Sequence, residues 1–296
     1  MKYYSVVRRA NYNTDVNIYQ ANLKNSSVAI KFLTCYNIIM KIGISTACYT
    51  DKKETEEVFP LLKDSCAETC EIYLRTFYEY RPEFAQKYAA RLDGVEVNSV
   101  HVAPLNFEPQ LFFNDRRTRG DGFYWLDQVM RSARLFGSDK YTFHGYLQRS
   151  GGCGYDYAAE RLREICGFCE RYGVTLCLEN VREATYNSPF VFKELKARCP
   201  QLQGVLDIKQ ARKSNYPWQA YVKDMGQAIS HIHISDIDSN GKTCLPGEGI
   251  SDFKEIFKVL KGEGFDGTVL IETGSFADAE QLTRSIRFLK ETARKT

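Results

Sequence analysis

From residue 41 onward, short runs rich in β-branched and aromatic residues alternate with longer stretches in which apolar side chains recur every three or four positions. The runs read as buried strands and the stretches as helices with one side to bury. Strands are predicted at residues 41–47, 70–74, 95–101, 141–144, 174–179, 202–207, 229–234 and 268–272. Ser188 followed by Pro189 starts one helix and Gly137 closes another, residue types suited to an N-cap, a first turn and a C-terminal end. Phe253, Ile256, Phe257 and Leu260 fall on one helical face, as do Ala279, Leu282, Ile286 and Leu289. Trp125 and Trp218 fall on predicted helices and are expected to pack on the barrel wall. An open doubly wound sheet would need a glycine-rich phosphate loop, and neither GxGxxG nor a P-loop follows any strand. The fold class is therefore α/β, a (β/α)8 TIM barrel forming one domain over residues 40–296. The longest interruption, residues 103–122, holds Pro104, Pro109 and the cluster Asp115, Arg116, Arg117. Its place after the third strand, on the catalytic face, reads as a lid.

Residues 1–39 break the pattern, being rich in Asn, Tyr and Ser with no lasting periodicity. Folding is expected to start at Met40, with residues 1–39 an irregular or disordered N-terminal extension or the product of an upstream start codon. Lys2, Arg8, Arg9, Lys24 and Lys31 against Asp15 give this stretch +4, so the formal charge of +3 leaves the barrel near −1. Lys31 interrupts its only apolar stretch and no small-residue cleavage site follows, a poor match to a secretory signal. No run of about 18 apolar residues is present to cross a membrane, and a soluble protein is expected.

Ten cysteines raise the question of disulfides or zinc. A chain of this length with one large core does not need staples, and no second CxxC follows the pair at Cys166 and Cys169. Cys66 and Cys70, and Cys166 and Cys169, are read as one helical turn apart, on faces shared in the second case with Ala158, Leu162 and Ile165. Buried, reduced thiols are expected, and with them a cytoplasmic location.

The candidate chemistry collects at strand ends. All four histidines lie in or at the end of a predicted strand: His101 in the third, His144 in the fourth, His231 and His233 in the seventh. Glu179, Asp207 and Glu272 close the fifth, sixth and eighth. A parallel barrel points these ends at one mouth, so six ligand-type side chains would share a pocket. Imidazole with carboxylate suits Mn²⁺, Zn²⁺, Co²⁺ or Fe²⁺ better than an all-oxygen Mg²⁺ cage, and a cation would relieve the repulsion among the acids. Alternation puts His231 one layer below His233, as a core residue behind the ligand. The loop after the second strand brings Arg75, Tyr78 and Glu79 towards the mouth, where loop packing is the simpler reading.

The strand-five end Leu-Glu-Asn, Asp207 on strand six, His-x-Ser-Asp on strand seven, Leu-Pro-Gly-Glu-Gly at 245–249 and the terminal Ile-Glu occur in an order that resembles the xylose isomerase-like barrel superfamily. That superfamily includes endonuclease IV, sugar isomerases and epimerases, and enzymes of inositol catabolism. The resemblance spans residues 41–294 and implies a shared metal site at Glu179, Asp207, His233 and Glu272. It also matches His101 and His144 to positions that hold a second metal in endonuclease IV. Two departures stand out. Asp207 is followed by Ile208, Lys209 and Gln210 where endonuclease IV reads Asp-x-x-His, and its Asp-x-His segment after strand seven is replaced by a stretch beginning at Asp238.

The resemblance therefore implies a metal-dependent isomerase or epimerase of a sugar or sugar phosphate, working by proton transfer through an enediolate. The cofactor would be a divalent metal (Mn, Co, Mg or Zn). Glu179 and Glu272 are the expected acid and base, with His101 and His144 on substrate hydroxyls, proton transfers or a second metal. Lys209 and Arg182 are candidates for a substrate phosphate or carboxylate, and Glu248 for a further substrate contact. The alternative is an endonuclease IV-like phosphodiesterase acting on abasic DNA, although the near-neutral barrel lacks the basic surface that duplex binding needs. Outer helices could pair two chains, but no stripe of charge or apolar residues marks an interface.

Overall fold

A computed structural model describes residues 40–104, 106–146, 154–184, 186–274 and 278–296. The expectation for residues 1–39 lies outside the described residues. Eight parallel strands close a barrel: β1 (Lys41–Ser45), β2 (Thr69–Leu74), β3 (Glu96–Val102), β4 (Lys140–Phe143), β5 (Thr175–Glu179), β6 (Gln203–Asp207), β7 (Ile229–Ile234) and β10 (Thr268–Ile271). They neighbour one another in the order β1-β10-β7-β6-β5-β4-β3-β2. The strands β8 (Asp236–Ile237) and β9 (Thr243–Cys244) form a small antiparallel hairpin beyond β7.

Helices α1 (Thr55–Asp64), α2 (Pro82–Tyr88), α3 (Arg116–Leu135), α4 (Tyr155–Glu170), α5 (Pro189–Arg198), α6 (Ile208–Lys213), α7 (Trp218–Met225), α8 (Phe253–Gly262) and α9 (Ala279–Lys295) connect the strands. Pro189 opens α5 at its first turn, although the Ser188 side chain makes no capping bond, and Gly137 takes a φ of 81° just after α3. On α8 the four expected positions are all buried, because spacings of three and four residues put them on one face, turned to the core. On α9 Leu282, Ile286 and Leu289 are buried while Ala279, in the first turn, is exposed. Trp125 packs at 4.5 Å on Phe77 and, like Trp218, is partly buried against the core.

Two local expectations change. Cys66 and Cys70 share no helix: α1 ends at Asp64, Cys66 turns with a φ of 62°, and Cys70 is already in β2. Residues 103–122 are not a lid in the simple sense. Residues Glu108–Phe112 form a 3-10 turn, α3 begins at Arg116, and Phe107, Glu108, Leu111 and Phe112 are buried, so the middle of the segment is a plug against β4. The eight described cysteines are free thiols, of which Cys66 alone is exposed. Burial pushes the thiols of Cys48 and Cys177 up to about 11, far from thiolate formation at neutral pH. Among these eight, a thiol reagent is therefore expected to modify Cys66 first and the buried ones only after denaturation. Peptide mapping reads this directly, and rapid labelling of Cys48 or Cys177 in the native protein would contradict it.

Strand alternation sorts the side chains. On β7, Ile232 and Ile234 face the helices while His231 and His233 face inward; on β2, Ile72 and Leu74 face out while Glu71 and Tyr73 face in. Branched apolar side chains usually fill such barrels. Here Ser45, Glu71, Ser99, Thr142 and His231 form a buried polar layer beneath the mouth.

Candidate functional site

The six ligand-type candidates are carried to the mouth by the ends of strands. His101 is the penultimate residue of β3, Glu179 and Asp207 end β5 and β6, and His233 lies one residue before the end of β7. His144 and Glu272 come just after their strands rather than in them; Glu272 N–H donates to the Ile234 carbonyl at 3.0 Å and so keeps to the line of the sheet. One donor atom each from Glu179, Asp207, His233 and Glu272 lies within 4.8 Å of the other three. His233 Nδ1 is 3.0 Å from Glu179 Oε1 and 3.6 Å from Glu272 Oε2. His101 and His144 converge from the other side, their Nε2 atoms 2.9 Å apart and 3.8 and 3.6 Å from Glu179 Oε2.

The hub beneath them is Glu71, a residue that sequence reasoning passed over. It is fully buried and meets His233 Nε2 at 3.2 Å and His101 Nδ1 at 3.2 Å. It also accepts from the hydroxyls of Ser45, Ser99 and Thr142. His231 sits one layer down, hydrogen-bonded to Thr142 at 3.0 Å. The signal for Glu71 was a charged residue inside a strand otherwise read as buried, which is rare without a partner. Glu108 carried no such signal. It reaches in from the turn after β3, accepts from Tyr141 Oη at 2.6 Å, and meets both the backbone N–H and Nδ1 of His144 at 3.0 Å.

Electrostatics follow from this packing. Burial alone would lift Glu71, but His233 and His101 beside it hold its carboxyl well below the usual range. Burial likewise opposes charge on His101, yet Glu71, Glu272 and Glu179 raise it to about 10, and the same kinds of neighbour hold His233 well above its ordinary value. His231, with burial dominant, falls to about 4. Burial raises Asp207 to about 6, against the pull of Lys209. Lys209 Nζ lies 3.0 Å from Glu272 and 3.4 Å from Asp207.

The donor set fits a divalent cation. Four buried carboxylates are balanced by Lys209 and by protons on imidazoles, so a cation would replace protons without adding net charge. Asp207 adds to this: Oδ1 accepts from the Gln210 N–H at 2.9 Å, while buried Oδ2 has no hydrogen-bond partner and only the Lys209 ammonium near it, at 3.4 Å. Glu71 against His233 Nε2 leaves Nδ1 turned towards Glu179 and Glu272, the carboxylate–histidine arrangement that orients a metal ligand.

A cavity of about 650 Å³ opens above the cluster, lined by His101, His144, Glu179, Lys209 and Glu272 among others. Arg182 and Glu248 are not part of that lining. Arg182 is exposed and pairs with Glu183 at 3.1 Å, and Glu248 is an exposed residue of the loop after β9. Arg75 pairs with Glu54 and Glu79, holding the loop after β2 together. Asp236, of the His-x-Ser-Asp motif, is structural: its carboxylate accepts from the N–H groups of Ile237, Gly247, Gly249 and Ser251 at 2.8 to 3.1 Å. That explains the glycines of Leu-Pro-Gly-Glu-Gly, since a Cβ at Gly249 would stand 2.1 Å from the Ile237 carbonyl oxygen.

The model of the xylose isomerase-like TIM barrel family matches residues 63–292. The chain belongs to this family. Fructoselysine 3-epimerase of Escherichia coli O157:H7 is 28% identical over 120 residues, 38% of this chain. The chain matches only 44% of that relative's length. D-psicose 3-epimerase from Clostridium cellulolyticum H10, solved with D-tagatose, shares the fold with a TM-score of 0.69 at 17% identity, over 86% of this chain and 99% of that one. The IolI protein, solved with a bound zinc atom, does so with a TM-score of 0.70 at 17% identity, again over 86% and 99%. No helix among the described residues is long and apolar enough to cross a membrane.

Proposed function

We propose that this protein is a divalent-metal-dependent isomerase or epimerase of a sugar or sugar phosphate, moving a proton at a carbon beside a carbonyl through an enediolate. The observation that carries the reading is the convergence of Glu179, Asp207, His233 and Glu272 at the foot of an accessible cavity. The sugar epimerases among its relatives support it. A bound Mn²⁺, Co²⁺, Mg²⁺ or Zn²⁺ would supply positive charge beside the substrate's carbonyl and hydroxyl oxygens, where negative charge grows as the proton leaves.

The protein's own groups do the rest. Glu179 and Glu272 hang from strands three apart around the eight-stranded ring, so they approach a bound substrate from different sides. One removes the proton from carbon; in an epimerisation the other returns it to the opposite face. Lys209 favours the ionised form of Glu272 and opposes the burial that raises Asp207. His101 and His144, each backed by a carboxylate on Nδ1 and with their Nε2 atoms 2.9 Å apart, line the cavity where substrate hydroxyls would lie.

The deciding experiment combines elemental analysis of the purified chain with incubation of the metal-loaded protein and a panel of ketoses and ketose phosphates in D2O. About one metal per chain and loss of a carbon-bound proton by NMR are expected; no exchange with any member of the panel would remove the proposal. Metal binding should also release at least one proton, because a ligating imidazole must be neutral and His233 is held protonated by its neighbours. Apparent affinity should therefore rise about tenfold per pH unit near neutrality. Calorimetry in buffers of different ionisation enthalpy reads the proton count, and a pH-independent affinity would argue against His233 as a ligand.

The second reading, a phosphodiesterase on abasic DNA, draws on the adjoining cluster of His101 and His144 with the shared Glu179, which could hold a second ion. Gln210 stands where a histidine would be needed. Two or more tightly held zinc ions per chain would favour it.

A further inference from the structure

We infer that Tyr73 is a specificity-determining residue of this site, its phenol donating a hydrogen bond to a neutral substrate hydroxyl that lies across the mouth from Asp207. The inference rests on the isomerase reading above and deepens it, by naming a group that tells one hydroxy ketone from another. Sequence reading passed over Tyr73, because an aromatic residue in a buried strand is ordinary packing.

Tyr73 follows Glu71 on the inward face of β2 and so stands one layer nearer the mouth. Two contacts hold it there. Its N–H donates to Thr46 Oγ1 at 2.8 Å, and its ring meets the His101 imidazole edge to face with centroids 5.2 Å apart, the two residues being paired in the β2–β3 register. The side chain lines the cavity, and its hydroxyl donates to no described residue. Two neighbouring tyrosines differ: Tyr80 Oη accepts from Asn106 and Tyr141 Oη donates to Glu108 at 2.6 Å, and neither is part of the lining. A phenol drawn out of bulk water usually finds a partner, and here the open side is the cavity.

Position decides what this hydroxyl meets. In the closed ring β2 stands four strands from β6 in either direction, so Tyr73 belongs to the wall opposite Asp207, which Glu179 on β5 and His233 on β7 flank. A substrate gripped at those residues by its carbonyl and neighbouring oxygen reaches the β2 wall with another part of its carbon chain. Burial, with Glu272, Tyr80 and Glu179 adding to it, pushes the phenol well above its ordinary value. It therefore stays protonated and donates without giving up its proton. Other donors beside it are engaged: Lys209 is paired with Glu272 and Asp207, and the Nε2 atoms of His101 and His144 meet each other at 2.9 Å. An uncommitted donor at a fixed place is what lets a pocket favour a substrate that carries a hydroxyl there over one that lacks it.

The test compares Tyr73→Phe with the parent, both full length and metal-loaded, and takes Tyr124→Phe, at an exposed position of α3 outside the lining, as control. Metal content and Tm should match the parent, because the hydroxyl donates to no described residue. A clear fall in either would show that the hydroxyl serves the fold and would overturn the inference. The first readout is deuterium exchange with the ketose that turns over, set against its monodeoxy analogues. Tyr73→Phe should lose about tenfold in kcat/KM on the full ketose yet match the parent on one analogue, the one lacking the hydroxyl that Tyr73 reads. The second is calorimetric binding of sorbitol, which has no carbonyl and does not turn over. Tyr73→Phe should bind it about three- to tenfold more weakly, the range for one neutral hydrogen bond, while Tyr124→Phe keeps both values. Unchanged kinetics, or equal losses on the ketose and every analogue, would overturn the inference and leave the isomerase reading intact. Unchanged sorbitol affinity, or a parent that binds no sorbitol, would overturn it even if no ketose exchanges, an outcome that removes the isomerase reading separately.

Discussion

Glu179→Gln is expected to lower kcat for proton exchange by about a thousandfold, within the range for loss of a positioned acid or base. The amide keeps the size of the carboxylate and can still accept from His233 Nδ1, now 3.0 Å away. It cannot take a proton at neutral pH. Glu179 also lies in the proposed ligand set, so metal content has to be measured alongside rate. If the variant binds metal more weakly but regains activity at saturating metal, Glu179 acts as a ligand alone; if kcat stays low with the site full, it handles the proton. Glu272→Gln gives the matching measurement from the other side of the ring. Because an epimerisation needs two such groups, each variant should also stop exchange from one face of the carbon. A kcat within tenfold of the parent for both variants would exclude these two residues as the acid and base.

Glu71→Ala is expected to be among the most destabilising single changes in the barrel. Glu71 is buried against His101 and His233, both of which it helps to hold protonated. Removing one partner of a buried ion pair leaves the other uncompensated, a loss of about 3 to 5 kcal/mol. In a chain of this size that corresponds to a fall in Tm of roughly 10 °C. The sign with pH follows from the shifts. The depressed Glu71 carboxyl contributes stability above its unfolded value of about 4.3, lost as pH falls through its lower folded value. Raised His101 contributes below about 6.5. Its contribution is lost as pH rises through its folded value of about 10. The gap in Tm between parent and variant, measured on metal-free protein, should therefore be widest at about pH 5 to 6.5 and narrow towards pH 10. A gap below 2 °C at about pH 6 would show that the polar layer tolerates the loss, contrary to the cost of an unpaired buried charge.

The eight strands were legible because their period-two and continuous apolar runs are local properties, and the helices because α8 and α9 repeat their apolar positions every turn. The strand ends were legible for the same reason: in a parallel barrel, knowing that Glu179, Asp207 and His233 come at or near the ends of their strands is enough to bring them to one mouth. Cys66 and Cys70 misled because a four-residue spacing is compatible with a helix, while the left-handed turn at Cys66 is decided by where the chain must go next to enter β2.

What the sequence by itself determined was the barrel and the direction in which its strand-end residues point, since both follow from periodicity and chirality along the chain. Only the tertiary structure decided the partners. Glu71 meets His233 across 162 residues, and the turn carrying Glu108 reaches His144 from outside any strand. Lys213 on α6 and Lys242 in the hairpin line the same cavity, although no local pattern links them. These pairings depend on barrel closure and register, because a carboxylate finds its imidazole through the packing of whole strands rather than through any spacing in sequence.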